Sequence, residues 1–233
     1  MKRSNILIAD DDKEIVHAIA KLMEKEGYCV FTAYNGIEAL DILTSFEIDL
    51  IIIDIMMPRL DGLSATMKIR EKNNIPIIIL SAKGEDSDKI LGLSIGADDY
   101  ITKPYNPLEL AARVKSHLRR YKVLGSNKDA DSSDDFITIR GLSLNKKAKN
   151  VIVNGEPVKL TATEYNILKL LMENKNRVFS AEEIYTRVWN ENSFAVENTV
   201  MVHIRRIREK IEINPREPDY LKVVWGIGYK IEG

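Results

Sequence analysis

Short apolar runs alternate with amphipathic stretches over the first 121 residues of the chain. Stretches with apolar residues at helical spacing, such as residues 12–27, separate five runs that are typical of buried strands. These five runs are residues 5–9, 28–33, 50–54, 75–81 and 99–104. Strands that alternate with helices predict a five-stranded parallel sheet covered on both faces. In such sheets, ligands bind at the carboxyl ends of the strands.

Polar residues stand at those strand ends. Asp10 and Asp11 follow the first run, and Asp54, Ser81 and Lys103 end the third, fourth and fifth. Clustered carboxylates repel one another unless a cation is present, and oxygen ligands suit Mg²⁺. A nearby lysine and hydroxyl could bind a phosphoryl group transferred to an aspartate nucleophile. The alternative for Asp54 alone is an aspartate that caps a turn.

Two neighbouring acids have structural interpretations. Asp12, the third acid of its run, is expected to cap the following helix rather than bind a metal. Asp61 and Gly62 predict a turn after Pro58.

The chain is predicted to divide near residue 122. Residues 122–135 are rich in Asp, Ser, Asn and Lys, which indicates a flexible linker between domain 1–121 and domain 136–233. Lys and Arg against Asp and Glu number 16 and 19 in the first domain but 16 and 12 in the second. This excess of positive charge hints that the second domain meets a polyanion.

Three helices are predicted after a β-rich region in the second domain, and the last is rich in arginine. Ser180 and Glu183 have capping-box spacing before the second helix. On a helical wheel, the third helix turns Val200, Ile204, Ile207 and Ile211 towards the core. The outward positions are then Asn198, Val202, Arg205, Arg206 and Glu209. Such a face suits a DNA major groove, with His203 and Arg208 on the flanks for phosphates.

Two β-rich runs end the chain, around Gly226 and Gly228. Glycines permit the positive φ that a tight hairpin needs. Three helices in tandem, the last rich in arginine, indicate a helix-turn-helix variant, in a domain of the α+β class.

Residues 1–121 resemble the receiver domain of two-component response regulators, which has a flavodoxin-like or CheY-like fold. Residues 136–233 resemble the winged-helix effector domain of the OmpR/PhoB family, through "LTATEY", "VHIRRIREKI" and "GIGYKI". The wording "GADDYITKP" is similar to that of VanR-type regulators.

The resemblance assigns roles at the strand ends. It implies that a sensor histidine kinase phosphorylates Asp54, while Ser81 and Lys103 bind the phosphoryl oxygens. Mg²⁺ would be held by Asp10, Asp11, Asp54 and the main-chain carbonyl of Met56. Tyr100 is the switch residue that responds to Ser81, and the Lys103–Pro104 peptide is expected to be cis.

The resemblance also implies partners: a second copy of the chain after phosphorylation, promoter DNA with tandem half-sites, and RNA polymerase. The dimer face would carry Lys89, Asp98, Asp99, Glu109, Arg113 and Arg120. Many relatives have an arginine just before the first wing glycine, where this chain has Trp225. We expect Trp225 to pack under the hairpin, which leaves Lys222 or Lys230 to reach phosphate.

Other function classes are disfavoured. The apolar runs are too short for a membrane span, the basic start lacks a signal-peptide core, and we expect a cytoplasmic protein. Cys29, the only cysteine, excludes an intrachain disulfide. Haloacid-dehalogenase-type phosphohydrolases need an acid two residues after the nucleophile, where this chain has Met56. A DNA-binding protein with an inert receiver and a protein-only adaptor are further alternatives.

Overall fold

The computed structural model describes residues 3–82, 86–125, 135–189 and 197–233. The chain forms two compact units, residues 1–121 and residues 122–233. None of the described helices is long and apolar enough to cross a membrane.

The N-terminal unit alternates strands and helices, as predicted. Its elements are β1 (Asn5–Ala9), α1 (Lys13–Lys25), β2 (Cys29–Ala33), α2 (Gly36–Ser45), β3 (Leu50–Asp54), α3 (Gly62–Lys72), β4 (Ile77–Ser81), α4 (Asp86–Ser94), β5 (Asp99–Thr102) and α5 (Pro107–Gly125). The strands are parallel in the order β2-β1-β3-β4-β5. The connections run to opposite sides from β1, so a crevice opens at the carboxyl ends of β1 and β3.

Two aspartates and a glycine shape that edge. Asp12 is the N-cap of α1 and accepts hydrogen bonds from the backbone of Glu14 and Ile15, as expected. Asp61 caps α3 rather than only forming a turn. A Cβ on Gly62 would lie 1.9 Å from the carbonyl oxygen of Asp54, so only glycine lets α3 begin this close to β3.

The C-terminal unit begins with an antiparallel sheet and ends in a hairpin. Its elements are β6 (Phe136–Ile139), β7 (Leu142–Asn145), β8 (Asn150–Val153), β9 (Glu156–Val158), α6 (Ala162–Glu173), α7 (Ala181–Trp189), α8 (Glu197–Ile211), β10 (Leu221–Val224) and β11 (Gly228–Ile231). Thr161 and Glu164 form a capping box at the start of α6. Val200, Ile204, Ile207 and Ile211 of α8 join the core, as predicted.

The predicted linker differs from the structure at its start. Residues 122–125 continue helix α5, so the helix reaches four residues into the segment that composition assigned to the linker. Residues 126–134 lie outside the described residues.

Candidate functional site

The carboxyl ends of β1, β3 and β5 bring two carboxylates and an ammonium together. The Nζ atom of Lys103 lies 2.6 Å from Oδ2 of Asp10 and 2.9 Å from Oδ1 of Asp54. Both aspartates are buried, with Asp54 only 4% exposed. The predicted convergence of these three residues is therefore present in the fold.

Burial and charge act in opposite directions on this group. Burial raises the pKa of Asp10 above its ordinary value, although the hydrogen bond from Lys103 works against this. Burial lowers the pKa of Lys103, but hydrogen bonds to Asp10 and Asp54 outweigh it and raise that pKa overall. Lys103 therefore remains a cation between two carboxylates.

Asp11 and Met56 lie at the mouth of the site. Both are exposed and line a cavity with Met57 and Asp61. The backbone N–H of Met56 donates a hydrogen bond of 2.5 Å to Oδ2 of Asp54, which fixes the second oxygen of that carboxylate.

The donor set fits a hard cation by chemistry, since it offers three carboxylates and a carbonyl oxygen on adjoining loops. In the arrangement described here, the ammonium of Lys103 occupies the position between Asp10 and Asp54, and the side chain of Asp11 is exposed. Among the described residues, no three His, Cys, Asp or Glu side chains are grouped to hold a metal ion.

Ser81 and Tyr100 connect the site to the neighbouring strands. Ser81 is fully buried, and its carbonyl accepts a hydrogen bond of 2.7 Å from the backbone of Lys103. The Lys103–Pro104 peptide is cis, as expected. Tyr100 is half-buried, and its ring lies so close to Gly92 of α4 that a Cβ there would be 3.2 Å from it.

Two acidic residues of the predicted dimer face are buried within the chain. Asp98 is fully buried and bound to Arg70 of α3 at 2.7 Å, so it is not available to a partner. Asp99 is also buried and binds Arg113 at 2.9 Å within the same chain. Backbone alternation sends these adjacent aspartates to opposite sides of the sheet, and each finds an arginine there.

The other residues predicted on that face differ in their exposure to solvent. Arg120 is buried and donates to Ser116, whereas Glu109 is exposed and binds Arg113. The side chain of Lys89 lies outside the described residues. Leu91 and Leu108 are exposed apolar residues on α4 and α5.

The outward face of α8 is also corrected. Val202 is 3% exposed, and His203 and Arg206 are buried as well. The Arg206 guanidinium lies 3.0 Å from Oε1 of the buried Glu164 in α6, and the His203 ring packs on Trp189. Helix α8 packs on both α6 and α7, so its buried arc is wider than the single sector of the wheel.

A narrower surface of α8 remains exposed. It carries Glu197, Met201, Arg205 and Glu209, spaced four residues apart, with Asn198 half-exposed beside them. The Nε atom of Arg205 donates to Glu209 at 3.0 Å. Arg208 instead donates to the carbonyl of Leu221 and ties α8 to β10. Met201 was missed, although its four-residue spacing from Arg205 could have identified it.

The hairpin contradicts one expectation and qualifies another. Trp225 does not pack under the hairpin, because 88% of it is exposed at the turn. Lys222 donates to the carbonyl of Pro218, and Lys230 lies 2.6 Å from Glu232. Both lysines are thus engaged within the chain rather than directed freely outwards.

Comparison with known families agrees with this division. Residues 6–115 match the family described as response regulator receiver domain, and residues 155–231 match the family described as transcriptional regulatory protein, C terminal.

Full-length relatives carry both parts. The chain is 46% identical to regulatory protein VanR of Enterococcus faecium, covering 97% of this chain and 98% of that protein. It is 42% identical to VanRc of Enterococcus gallinarum over the same two shares. The crystal structure of DrrB, an OmpR/PhoB homologue from Thermotoga maritima, covers all of both chains at 29% identity and a TM-score of 0.52. The chain therefore belongs to the OmpR/PhoB family of two-component response regulators and is a transcriptional regulator rather than a metabolic enzyme.

Proposed function

We propose that a sensor histidine kinase phosphorylates the chain on Asp54, and that phosphorylation controls its binding to promoter DNA. The observation that carries this proposal is the buried Asp54 carboxylate at the end of β3, 2.9 Å from the Lys103 ammonium. A carboxylate held beside a cation at an open sheet edge can attack phosphorus while the developing charge is offset.

The transfer itself needs few groups. An oxygen of Asp54 forms a bond to phosphorus while the bond from phosphorus to the imidazole nitrogen of the kinase breaks, which gives an acyl phosphate. Lys103 and the Ser81 hydroxyl bind the phosphoryl oxygens. Mg²⁺, when bound, supplies further positive charge to those oxygens, with Asp10, Asp11, Asp54 and the Met56 carbonyl as its ligands.

Phosphorylation adds roughly two negative charges beside Lys103. In the unphosphorylated chain, Lys103 binds Asp10 and Asp54. Redistribution of this ammonium and of Ser81 reaches Tyr100, whose ring contacts the surface of α4 at Gly92. The exposed Leu91, Leu108 and Glu109 would then meet the same surface of a second copy. In this proposal apolar contact, rather than a network of exposed ion pairs, supplies most of the dimer's stability.

The C-terminal unit would read DNA with the exposed surface of α8. Arg205 and Asn198 have the donors and acceptors that recognise guanine and adenine edges. Dimerisation raises the effective concentration of the second such unit at tandem half-sites. The protein would act in the cytoplasm and influence RNA polymerase from the promoter.

Sedimentation velocity with Mg²⁺ tests this function, with and without beryllofluoride as a mimic of the aspartyl phosphate. We expect the mimic to shift the chain from monomer to dimer, and we expect Asp54→Ala to abolish the shift. A response that survives in Asp54→Ala would remove Asp54 as the acceptor. An unchanged mass in the native chain would end the proposed control by dimerisation.

A further inference from the structure

The carboxylate of Glu212, the residue after α8, binds three successive backbone N–H groups at the start of the hairpin. Asp219 donates to Oε2 at 2.7 Å, and Leu221 donates to Oε1 at 2.8 Å. Between them, Tyr220 donates to Oε1 at 3.0 Å and to Oε2 at 3.2 Å. Glu212 is buried, although the helix dipole opposes a negative charge at the carboxyl end of a helix. The hydrogen bonds from the hairpin offset this unfavourable position.

The same end of α8 also binds the hairpin through an acceptor. The Nε atom of Arg208 donates to the Leu221 carbonyl at 2.9 Å. Leu221 is fully buried, and its N–H binds Glu212. Both backbone polar groups of this one residue are thus bound by side chains at the C-terminal end of α8.

The hairpin continues this attachment to the connection between α6 and α7. Leu221 pairs with Ile231 in the antiparallel ladder, and the Ile231 carbonyl accepts from the backbone of Asn176 at 2.9 Å. Phe179 and Tyr229 exchange two backbone hydrogen bonds of 2.9 Å each. Asn176 and Phe179 both lie between α6 and α7. The hairpin therefore links the C-terminal end of α8 to the segment that leads into α7.

The orientation of α8 decides where its exposed side chains lie. A rise of about 1.5 Å per residue places Asn198 about 21 Å from Glu212 along the helix. Over that length, a tilt of about 3° shifts one end relative to the other by about 1 Å. Hydrogen-bond distances vary over a range of only about 0.5 Å. Small changes in the attachment of α8 are therefore large enough to misplace a base contact.

We propose that Glu212 is a positioning residue for DNA recognition, which sets the orientation of α8 against the hairpin and so determines sequence discrimination by the exposed surface of α8. This inference rests on the proposed DNA binding by that surface. Glu212 would act without touching DNA, because it is buried and its oxygens bind the chain's own backbone. Attraction to phosphates carries no sequence information and tolerates a tilted helix, so it should not depend on Glu212.

Binding of the full chain to two duplexes tests this role. The native chain, with Mg²⁺ and beryllofluoride, enriches one duplex from a random-sequence pool, and the other duplex is a scrambled version of it. The ratio of the two dissociation constants measures discrimination. Glu212→Gln keeps the size of the side chain but replaces one acceptor oxygen with an amide group that only donates.

We expect Glu212→Gln to lower discrimination about ten-fold, as for the loss of one base contact. Affinity for the scrambled duplex should change by less than about two-fold, with the native salt dependence, because the phosphate contacts remain. Glu212→Asp keeps the charge, but its shorter side chain cannot reach all three N–H groups. It should also lose discrimination, which separates reach from charge.

Glu217→Gln provides the matched control, since it makes the same chemical change at an exposed residue of the same loop. The Glu217 carboxylate accepts a hydrogen bond from Asn214 at 3.2 Å, within that loop. Both variants remove one negative charge, so a general effect of charge on DNA affinity appears in both. Glu217→Gln should keep the native discrimination.

Two results would overturn the role of Glu212. Native discrimination in Glu212→Gln would mean that the other contacts of α8 fix its orientation. An equal loss of affinity for both duplexes, absent in Glu217→Gln, would mean that Glu212 only stabilises the unit as a whole. In both cases the duplex enriched by the native chain leaves the proposed DNA binding intact. If the native chain enriches no duplex, the DNA binding itself fails, and the role of Glu212 fails with it.

Discussion

The sequence predicted the positions of side chains at the strand ends of the N-terminal unit better than those on α8 of the C-terminal unit. At the strand ends, Asp10, Asp54 and Lys103 meet within hydrogen-bonding distance, as expected. On α8, Val202 and Arg206 were expected outside and are buried. A parallel sheet collects the ends of its strands at one edge by topology alone. A helix leaves open how many neighbours cover it.

Two adjacent arginines of α8 differ in burial and in partner. Arg206 is buried against Glu164, whereas the side chain of Arg205 is 73% exposed and binds the exposed Glu209. Replacing each should therefore affect a different property.

Arg206→Ala should have the largest effect, on stability. It leaves the buried Glu164 with less compensating charge, and removal of one member of a buried ion pair costs about 3–5 kcal/mol. Lys210 still binds Glu164 at 2.6 Å, so we expect a loss near the lower value. Both tryptophans belong to the C-terminal unit, so their fluorescence in urea follows its unfolding in the full chain. Arg205→Ala is the control and should unfold at almost the native urea concentration. Native stability in Arg206→Ala would contradict its structural role.

Lys103→Ala tests whether the strand ends form an ion site. Without the ammonium, two buried carboxylates face each other and should bind a dication more strongly. Mg²⁺ at a hundred times its Kd would then stabilise the N-terminal unit by about 2.7 kcal/mol. Calorimetry of the full chain with and without Mg²⁺ measures this gain, which should exceed that of the native chain at equal Mg²⁺.

Lys21→Ala is the control for Lys103→Ala, since Lys21 is an exposed lysine on α1. Its response to Mg²⁺ should be that of the native chain. A smaller response in Lys103→Ala than in the control would mean that the ammonium supports the cation site rather than competing with it.

Arg205→Ala should reduce discrimination between DNA sequences at little cost to folding. Loss of a bidentate contact to guanine costs about 1–3 kcal/mol of discrimination. Competition between a duplex that the native chain enriches from a random-sequence pool and single-base variants of that duplex measures this loss. Glu209→Ala, which removes the intrachain partner of Arg205, should keep the discrimination. An equal loss of affinity for every duplex would assign Arg205 to phosphate.

Particular residues show where prediction from sequence ends. The five strands, their parallel direction and the polar residues at their ends follow from the apolar runs and the residues behind them. The burial of Asp98 does not, because it depends on Arg70 of α3, 28 positions away. The burial of Arg206 likewise depends on Glu164. The position of Glu164 at the start of α6 does not indicate in the sequence that it pairs with a residue of α8. Arginines that neutralise buried acids look the same in sequence as arginines that face DNA.

His117 offers the smallest and most local test, on the buried side of the predicted dimer face. Its ring is 1% exposed and lies 3.1 Å from Asp99. Burial and the charge of Arg120 lower the pKa of His117, although Asp99 acts in the opposite direction. The unfolded chain therefore binds the proton more readily, and stability is lost as the pH falls through the ordinary value near 6.5.

His117→Gln keeps a hydrogen-bond donor near Asp99 but removes the titration. From about pH 7 to about pH 6, the native N-terminal unit should lose more stability than this variant does, by at most about 0.7 kcal/mol, the limit for a group that binds no proton in the folded chain. Calorimetry of the full chain at both pH values measures the difference, with the exposed His17→Gln as the control that keeps the native slope. Equal slopes in the native chain and His117→Gln would mean that His117 protonates in the folded state as readily as in the unfolded one. Burial and the charge of Arg120 would then not be keeping the proton off His117.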